Sequence, residues 1–188
     1  MKKAIVILES VSPYSQGRYH QTEKFEKELP AAYEKRTWRE KLHYDENGIV
    51  FIPPMQFSNS LKEAAKYLSL SIPGKGKSTF TKNFESGVMV VDQISLGINK
   101  DEIEGETFLV PSDGRRGGTT RVERTFPIIR KWKVSVTYHI FDDIITEDIF
   151  RKILEASGQL IGIGRFRPRN WGYYGRFRIA NLNWIDSI

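Results

Sequence analysis

The chain has 188 residues, a formal net charge of +6, an aromatic fraction of 12% and no cysteine. This length fits one domain with a sizeable core, and an apolar content of 39% excludes a disordered chain. The lack of cysteine excludes disulfides and thiolate metal sites, and three histidines leave little for a metal centre. We therefore expect no cofactor and no metal, and the basic charge favours a polyanionic partner.

The first segment predicts a buried strand. The run KAIVILE is apolar, rich in β-branched residues and of strand length, as in strands that are covered on both faces. It is shorter than the hydrophobic region of a signal peptide, and no segment approaches the length of a membrane span. We therefore expect a cytoplasmic protein with no membrane partner.

A first insertion is predicted at about residues 10–57 of a single domain that covers residues 1–188. It is polar and charged, and its composition predicts short helical pieces around Pro30 and a short strand at GIVFIPP. The segment LKEAAKYLSL then predicts a helix with one apolar face, capped by Ser58 or Asn59 and ended before Pro73.

The second half continues the alternation of strands and helices. GVMVVDQISL predicts a core strand, and a second insertion at about residues 97–131 has the composition of a basic hairpin or loop. WKVSVTYHIF alternates apolar and polar residues as a strand does, a helix runs from a Thr146 cap to Gly158, and YGRFRIANLNW gives a last strand. The resulting order β-α-β-β-α-β predicts an α+β fold of the ferredoxin-like (RRM-like) type, with an antiparallel sheet and both helices on one face.

The stretch GIGRFRPRNWGYYGRFRI combines glycines, arginines and aromatic residues without an acidic one. Glycine lets a backbone approach a ligand closely, arginine binds phosphate, and an aromatic face stacks on a base with about 1 to 3 kcal/mol. The alternative is a turn whose rings pack on the core and whose arginines are solvated. The first interpretation predicts a site for single-stranded nucleic acid that comprises Gly162, Gly164, Arg165, Phe166, Arg167, Arg169, Trp171, Tyr173, Tyr174 and Arg176.

A second basic segment supports this prediction. Arg115, Arg116, Arg121 and Arg124 lie between the two middle strands and are interrupted by glycines, so two arginine-glycine loops on one small fold predict a positive track.

The sequence favours a protein without catalytic activity. The P-loop-like SIPGKGKST lacks the first required glycine and follows a helix, where a P-loop follows a strand. His20, in QGRYHQT, is a weak candidate for acid-base chemistry on RNA, and a surface histidine is the simpler interpretation.

Three features resemble the RAMP superfamily, the repeat-associated proteins that hold guide RNA in CRISPR effector complexes. They are the element order, the segment GIVFIPPMQFSNSLKEAAKYL, and the glycine-rich loop GIGRFRPRNWGYYGRFRI before the last strand. The resemblance implies binding of RNA, self-association or association with other RAMP-like subunits, and a thumb at residues 113–124. A phage or mobile-element relative that has kept the fold is equally consistent.

The leading hypothesis is a non-catalytic, RAMP-like protein that binds single-stranded RNA or DNA, RNA being favoured, and assembles along the strand. Two alternatives remain open at this point. One is a metal-independent endoribonuclease that uses His20. The other is a protein-interaction or structural subunit, such as a phage protein that mimics or engages a CRISPR complex.

Overall fold

The computed structural model describes residues 1–114 and 118–186. Its helices are α1 (Pro30–Thr37), α2 (Pro54–Leu68), α3 (Thr81–Gly87) and α4 (Glu147–Ala156). Its strands are β1 (Lys2–Ser10), β2 (Tyr14–Ser15), β3 (Ile49–Ile52), β4 (Val88–Met89), β5 (Ile94–Asn99), β6 (Glu104–Pro111), β7 (Arg121–Ile129), β8 (Lys133–Ile140) and β9 (Phe177–Ile185). The prediction of a mixed helix and strand protein with antiparallel sheets is confirmed.

The central sheet has the strand order β4-β8-β1-β9, and its neighbours pair antiparallel. In β8 the predicted alternation is present, because Val134, Val136, Tyr138 and Ile140 are buried while Lys133 and the residues between them are more exposed. β1 lies at the centre, and Val6 pairs with both Val136 and a residue of β9. Period-2 burial of this kind is what a sheet with one covered face produces.

Helices α2 and α4 belong to one apolar core with the buried face of this sheet. The ring of Phe150 in α4 packs edge-on against Tyr138 of β8 with centroids 5.2 Å apart. The hydroxyl groups of Ser60 and Ser157 lie 2.8 Å apart in this core and satisfy each other. None of the helices within the described ranges is both long and apolar enough to cross a bilayer.

Two smaller sheets come from the predicted insertions. β6 and β7 form an antiparallel hairpin, which we call the basic hairpin (residues 104–129) after its predicted arginines, and β2 pairs with the other edge of β7. The four arginines of this segment are balanced by four acidic residues, so its net charge is zero. β3 pairs with β5. The second insertion is therefore a hairpin that is docked on the first insertion.

The prediction of one core strand at residues 87–96 is wrong. β4 ends at Met89 in the central sheet, and β5 begins at Ile94 in a different sheet. Between them the backbone N–H of Val90 donates to Ser58 Oγ at 3.2 Å, and Asp92 is exposed. The ladder is interrupted because a side chain from α2 takes the hydrogen bond of the strand.

The predicted ends of the two main helices also need correction. α2 begins at Pro54, whose fixed φ suits a first helical turn, so Ser58 and Asn59 lie inside the helix. It ends at Leu68 because Ser69 is left-handed at φ 46°.

In α4 the Thr146 cap is confirmed, since its hydroxyl accepts from Ile149 N. Gly158 is not the end of the helical segment, because a π-helical turn continues over Ser157–Ile161. Gly162, at φ 72°, ends it, whereas Gly158 is buried against the carbonyl of Phe177.

Candidate nucleic-acid interface

The glycine loop (residues 162–176) is held against β2 by backbone hydrogen bonds. Arg165 N donates to Ser15 O at 2.8 Å, and Gly175 N donates to Pro13 O at 2.7 Å. Gly164 is left-handed at φ 74°, and a Cβ there would collide with Ser15 O and the ring of Tyr14. The glycines of this loop therefore allow close approach to the protein's own backbone, and a ligand contact for Gly162 and Gly164 stays a prediction.

The aromatic residues of the loop divide into two groups. Phe166 and Tyr174 pack with rings of the basic hairpin, the closest pair being Phe166 and Phe126 with centroids 5.2 Å apart. These contacts join the glycine loop to the hairpin. Trp171 is 88% exposed and Tyr173 is 60% exposed, so both offer ring surface to a ligand.

Arg165 lies where the loop meets the hairpin. Its guanidinium carbon is 4.2 Å from the ring centroid of Phe126 and 5.0 Å from that of Phe166. Although much of the residue is exposed, burial of the guanidinium lowers its pKa, and no carboxylate within residues 1–114 and 118–186 forms an ion pair with it. Stacking on rings holds this cation without neutralising it.

A cleft of about 460 Å³ opens on one side of Arg165. Its walls are residues 17–20, α1, the basic hairpin and the guanidinium of Arg165 itself. We call it the arginine cleft, and its cationic residues are Arg18, Lys41, Arg124 and Arg165. Two further grooves meet at Arg165: one is lined by Phe166 and Trp171, the other by Asn59 and Arg167.

Glu34 is the carboxylate of the arginine cleft. It forms an ion pair with Lys41, a second with Arg124 Nη1 at 3.0 Å, and accepts from Thr125 N at 2.9 Å. Burial alone would raise the pKa of Glu34, but the hydrogen bonds from its cationic partners outweigh it and lower that pKa. Glu34 therefore stays ionised and joins α1 to β7.

Lys41 is the most enclosed cation of the cleft. Its pKa is lowered, first by burial and also by the nearby positive charges of Arg124 and Arg165, although Glu34 acts in the opposite direction. Its ammonium also donates to Thr125 O at 2.7 Å. The cleft thus gathers like charges in a partly desolvated place, an arrangement that a bound anion would stabilise.

The remaining loop arginines have protein partners. Arg167 Nη2 and Arg169 Nε lie 3.1 and 2.8 Å from the two carboxylate oxygens of Glu63 in α2. Arg176 donates to the carbonyls of Gln159 and Tyr173. Glu63 therefore orients Arg167 and Arg169, which line the grooves beside Arg165, whereas the predicted ligand contact of Arg176 stays a prediction.

Of the predicted hairpin arginines, the structure brings Arg124 into the arginine cleft together with Arg165. Arg121 is exposed on β7 and donates to Leu109 O at 3.4 Å. Arg115 and Arg116 lie outside the described residues, so their predicted role is not addressed by the structure.

His20 also lines the arginine cleft. Its Nδ1 is 3.0 Å from Thr22 Oγ1, and its ring stacks on Tyr33 with centroids 6.3 Å apart. Within the described ranges no group of three or more histidine and acidic side chains is placed to hold a metal ion.

Several residues of this interface were not predicted from the sequence. Arg18 and Lys41 reach the cleft from the first insertion. Arg18 stands between Gly17 and Tyr19, a short glycine-arginine-aromatic signal, whereas Lys41 lies in a run of mixed basic and acidic residues that gives no such signal. Glu34 and Glu63 are acidic residues on ordinary helical segments, and their pairing with arginines far along the chain left no local signal.

No protein-family model and no curated protein matches the chain. Solved structures are similar to it, among them the following two. The cryo-EM structure of the Type III-B Cmr-beta bound to cognate target RNA contains a chain with a TM-score of 0.52 and 11% identity, over 98% of this chain and 60% of that one. The crystal structure of Cmr6 from Pyrococcus furiosus has a TM-score of 0.51 and 12% identity, over 95% of this chain and 99% of that one.

This chain therefore spans about 60% of the length of the first of these neighbours. At identities of 11% and 12%, the likeness shows the fold alone. The chain thus shares its fold with these two Cmr proteins.

Proposed function

We propose that this protein is a non-catalytic, RAMP-like protein that binds single-stranded nucleic acid, RNA in preference to DNA, over the glycine loop and the arginine cleft. One observation carries the proposal. The guanidinium of Arg165 is partly desolvated, packs against the rings of Phe126 and Phe166, and has no acidic partner among residues 1–114 and 118–186. An arginine that is held by rings and not by a carboxylate keeps its charge for a ligand, and a phosphate is the group that an arginine binds most readily.

The surroundings of Arg165 fit a nucleic-acid strand. Three grooves meet at its side chain, and the exposed rings of Trp171 and Tyr173 are available for stacking on bases. Arg167 and Arg169 lie at the rim, where a phosphate can compete with Glu63 for them. Phe166 and Tyr174 connect the loop to the hairpin, and Phe166 also contacts the guanidinium of Arg165; contact of these two rings with bases stays a prediction.

The fold supports an RNA ligand and partners of the same kind. One structural neighbour is bound to target RNA within a Cmr complex. The sheet order β4-β8-β1-β9 with α2 and α4 supports the ferredoxin-like arrangement, in which the basic hairpin corresponds to the thumb. Association with RAMP-type subunits or with further copies of this chain is part of the proposal.

The test is a binding measurement by fluorescence anisotropy on single-stranded RNA of about twelve nucleotides. Arg165→Ala should raise Kd about tenfold or more, because a charge-assisted contact in a partly desolvated place is lost. The matched control is Arg178→Ala, an arginine of β9 that lies outside the grooves and is paired with Glu9 at 2.6 Å. Equal affinities for the wild type and both variants would reject the proposal.

A second candidate function is cleavage of the bound RNA by His20. It is favoured by one observation, the position of the imidazole in the same cleft as Arg165 and Lys41. Incubation of RNA with the protein in EDTA tests it: cleavage by the wild type that is lost in His20→Ala would establish an endoribonuclease. Intact RNA with the wild type leaves binding as the function.

A further inference from the structure

The arginine cleft carries more positive charge than one internal phosphate of a strand can neutralise. Among the described residues, four cationic side chains line it against the one carboxylate of Glu34. Lys41 and Arg124 already share that carboxylate. Arg165 and Arg18 have no acidic partner in the described part of the chain, and Arg18 instead lies over the ring of Tyr44 at 5.6 Å.

Hydrogen bonds hold the walls of the cleft together on the side away from the glycine loop. Glu34 bonds to Thr125 N and Arg124, which fastens α1 to β7. Arg18 N donates to Lys41 O at 2.9 Å, which fastens residues 17–20 to the turn that follows α1. The grooves that meet at Arg165 lie on the other side, over the glycine loop. A strand that runs over the loop therefore reaches the cleft at Arg165.

The size and lining of the cleft suit one terminal nucleotide. Its volume of about 460 Å³ falls in the usual range for small-molecule sites. The rings of Tyr19, Tyr33 and Phe126 line it beside the cations, and Tyr19 is 81% exposed. An aromatic face for a base and several donors for a phosphate are thus present in one cavity.

We propose that the arginine cleft recognises a phosphorylated end of the bound strand, a terminal phosphomonoester with its nucleotide. This inference rests on the proposed function, since the strand is the one that the glycine loop holds. A terminal phosphomonoester carries about −1.5 to −2 charges at neutral pH, whereas an internal phosphodiester carries one. Among the described residues, the cleft has three more cations than carboxylates, so the larger charge is neutralised within it and the smaller one leaves a greater excess. The chemistry is the same at either end, and the experiment below distinguishes the 5′ from the 3′ end.

The experiment compares three RNA strands of one sequence, labelled on an internal base so that both ends are unmodified. One has hydroxyl groups at both ends, one a 5′-phosphate and one a 3′-phosphate. Anisotropy titrations with the wild-type protein should show that one phosphorylated strand binds at least about tenfold more tightly than the hydroxyl strand, because added charge-assisted hydrogen bonds form in a partly desolvated cleft.

Two variants locate the effect. Arg18→Ala should reduce the ratio between the phosphorylated and hydroxyl strands to below about threefold, because an exposed guanidinium of the cleft is removed without a change to the core. Arg178→Ala, outside the grooves, should leave the ratio unchanged.

The outcomes separate the two proposals. If all three strands bind the wild type equally, strand binding stands and end recognition is overturned. If no strand binds, both are overturned. A preference for a phosphorylated end that persists in full in Arg18→Ala would also overturn the assignment to this cleft.

Discussion

Glu34 is the residue whose loss should most strongly affect the attachment of the basic hairpin. Its side chain is 9% exposed and that of Lys41 is 12% exposed, so Glu34→Ala leaves an ammonium group in a desolvated place without a counter-charge. Arg124, at 41% exposure, regains water. Counting only Lys41 as a buried charge, we expect the free energy of unfolding to fall by about 3 kcal/mol, at the low end for breaking a buried pair.

Thermal unfolding measures this loss. At about 2 to 4 °C per kcal/mol for a chain of this size, the Tm of Glu34→Ala should fall by about 6 to 12 °C. Glu104→Ala is the matched control, since Glu104 belongs to the same hairpin and pairs with Arg130 at 3.1 Å in an exposed place. The free energy of unfolding of Glu104→Ala should fall by less than about 1 kcal/mol. Equal losses in the two variants would refute the account of the Glu34 network.

The effect of Glu34 should depend on pH in a defined direction. The pKa of this carboxylate is lowered from its ordinary value of 4.5, since hydrogen bonds from Lys41 and Arg124 outweigh the opposing effect of burial. A lowered carboxylate pKa stabilises the fold above the ordinary value, and this contribution is lost as the pH falls through the folded-state pKa. The difference in Tm between the wild type and Glu34→Ala should be complete at neutral pH and shrink below about pH 4.5. A difference that grows on acidification would contradict this sign.

Two further predictions concern the glycine loop. Glu63→Gln should lower the Kd for single-stranded RNA about two- to fivefold, because Arg167 and Arg169 no longer share a competing carboxylate. Fluorescence anisotropy measures this Kd, and weaker binding by the variant would contradict the prediction. Gly164→Ala should lower the free energy of unfolding by more than about 3 kcal/mol, because the strain of a left-handed φ adds to the collision of the new Cβ with Ser15 O and Tyr14. Gly74 has the same φ of 74° with open space around it, so Gly74→Ala should lower the free energy of unfolding by about 1 kcal/mol. Equal costs at the two glycines would show that the close approach at Gly164 is unimportant.

The elements that were predicted well are those in which burial alternates regularly from residue to residue. β8 sits in a sheet with one covered face, so burial alternates and the sequence alternates with it. Residues 87–96 are apolar along most of their length, but β4 and β5 within this segment belong to two different sheets. Its interruption depends on Ser58, a partner in another element, which no local pattern reveals.

The candidate site shows the same division. Arg165 was predicted because arginine, glycine and rings cluster locally around it. Arg18 and Lys41 belong to the same cleft but come from the first insertion, and only the folding of α1 onto β7 brings them there. The competition of Glu63 for Arg167 and Arg169 likewise depends on packing between α2 and the loop.

The salt dependence of RNA binding tests the central claim most directly. The Kd of the wild type and of Arg165→Ala for single-stranded RNA should be measured over a series of salt concentrations. Each neutralised phosphate contributes a slope of about −0.7 in log affinity against log salt on single strands. We predict a steep wild-type slope and a slope shallower by about 0.7 for Arg165→Ala. Binding that is insensitive to salt, or identical slopes for the two proteins, would contradict the claim that Arg165 neutralises a phosphate of the bound strand.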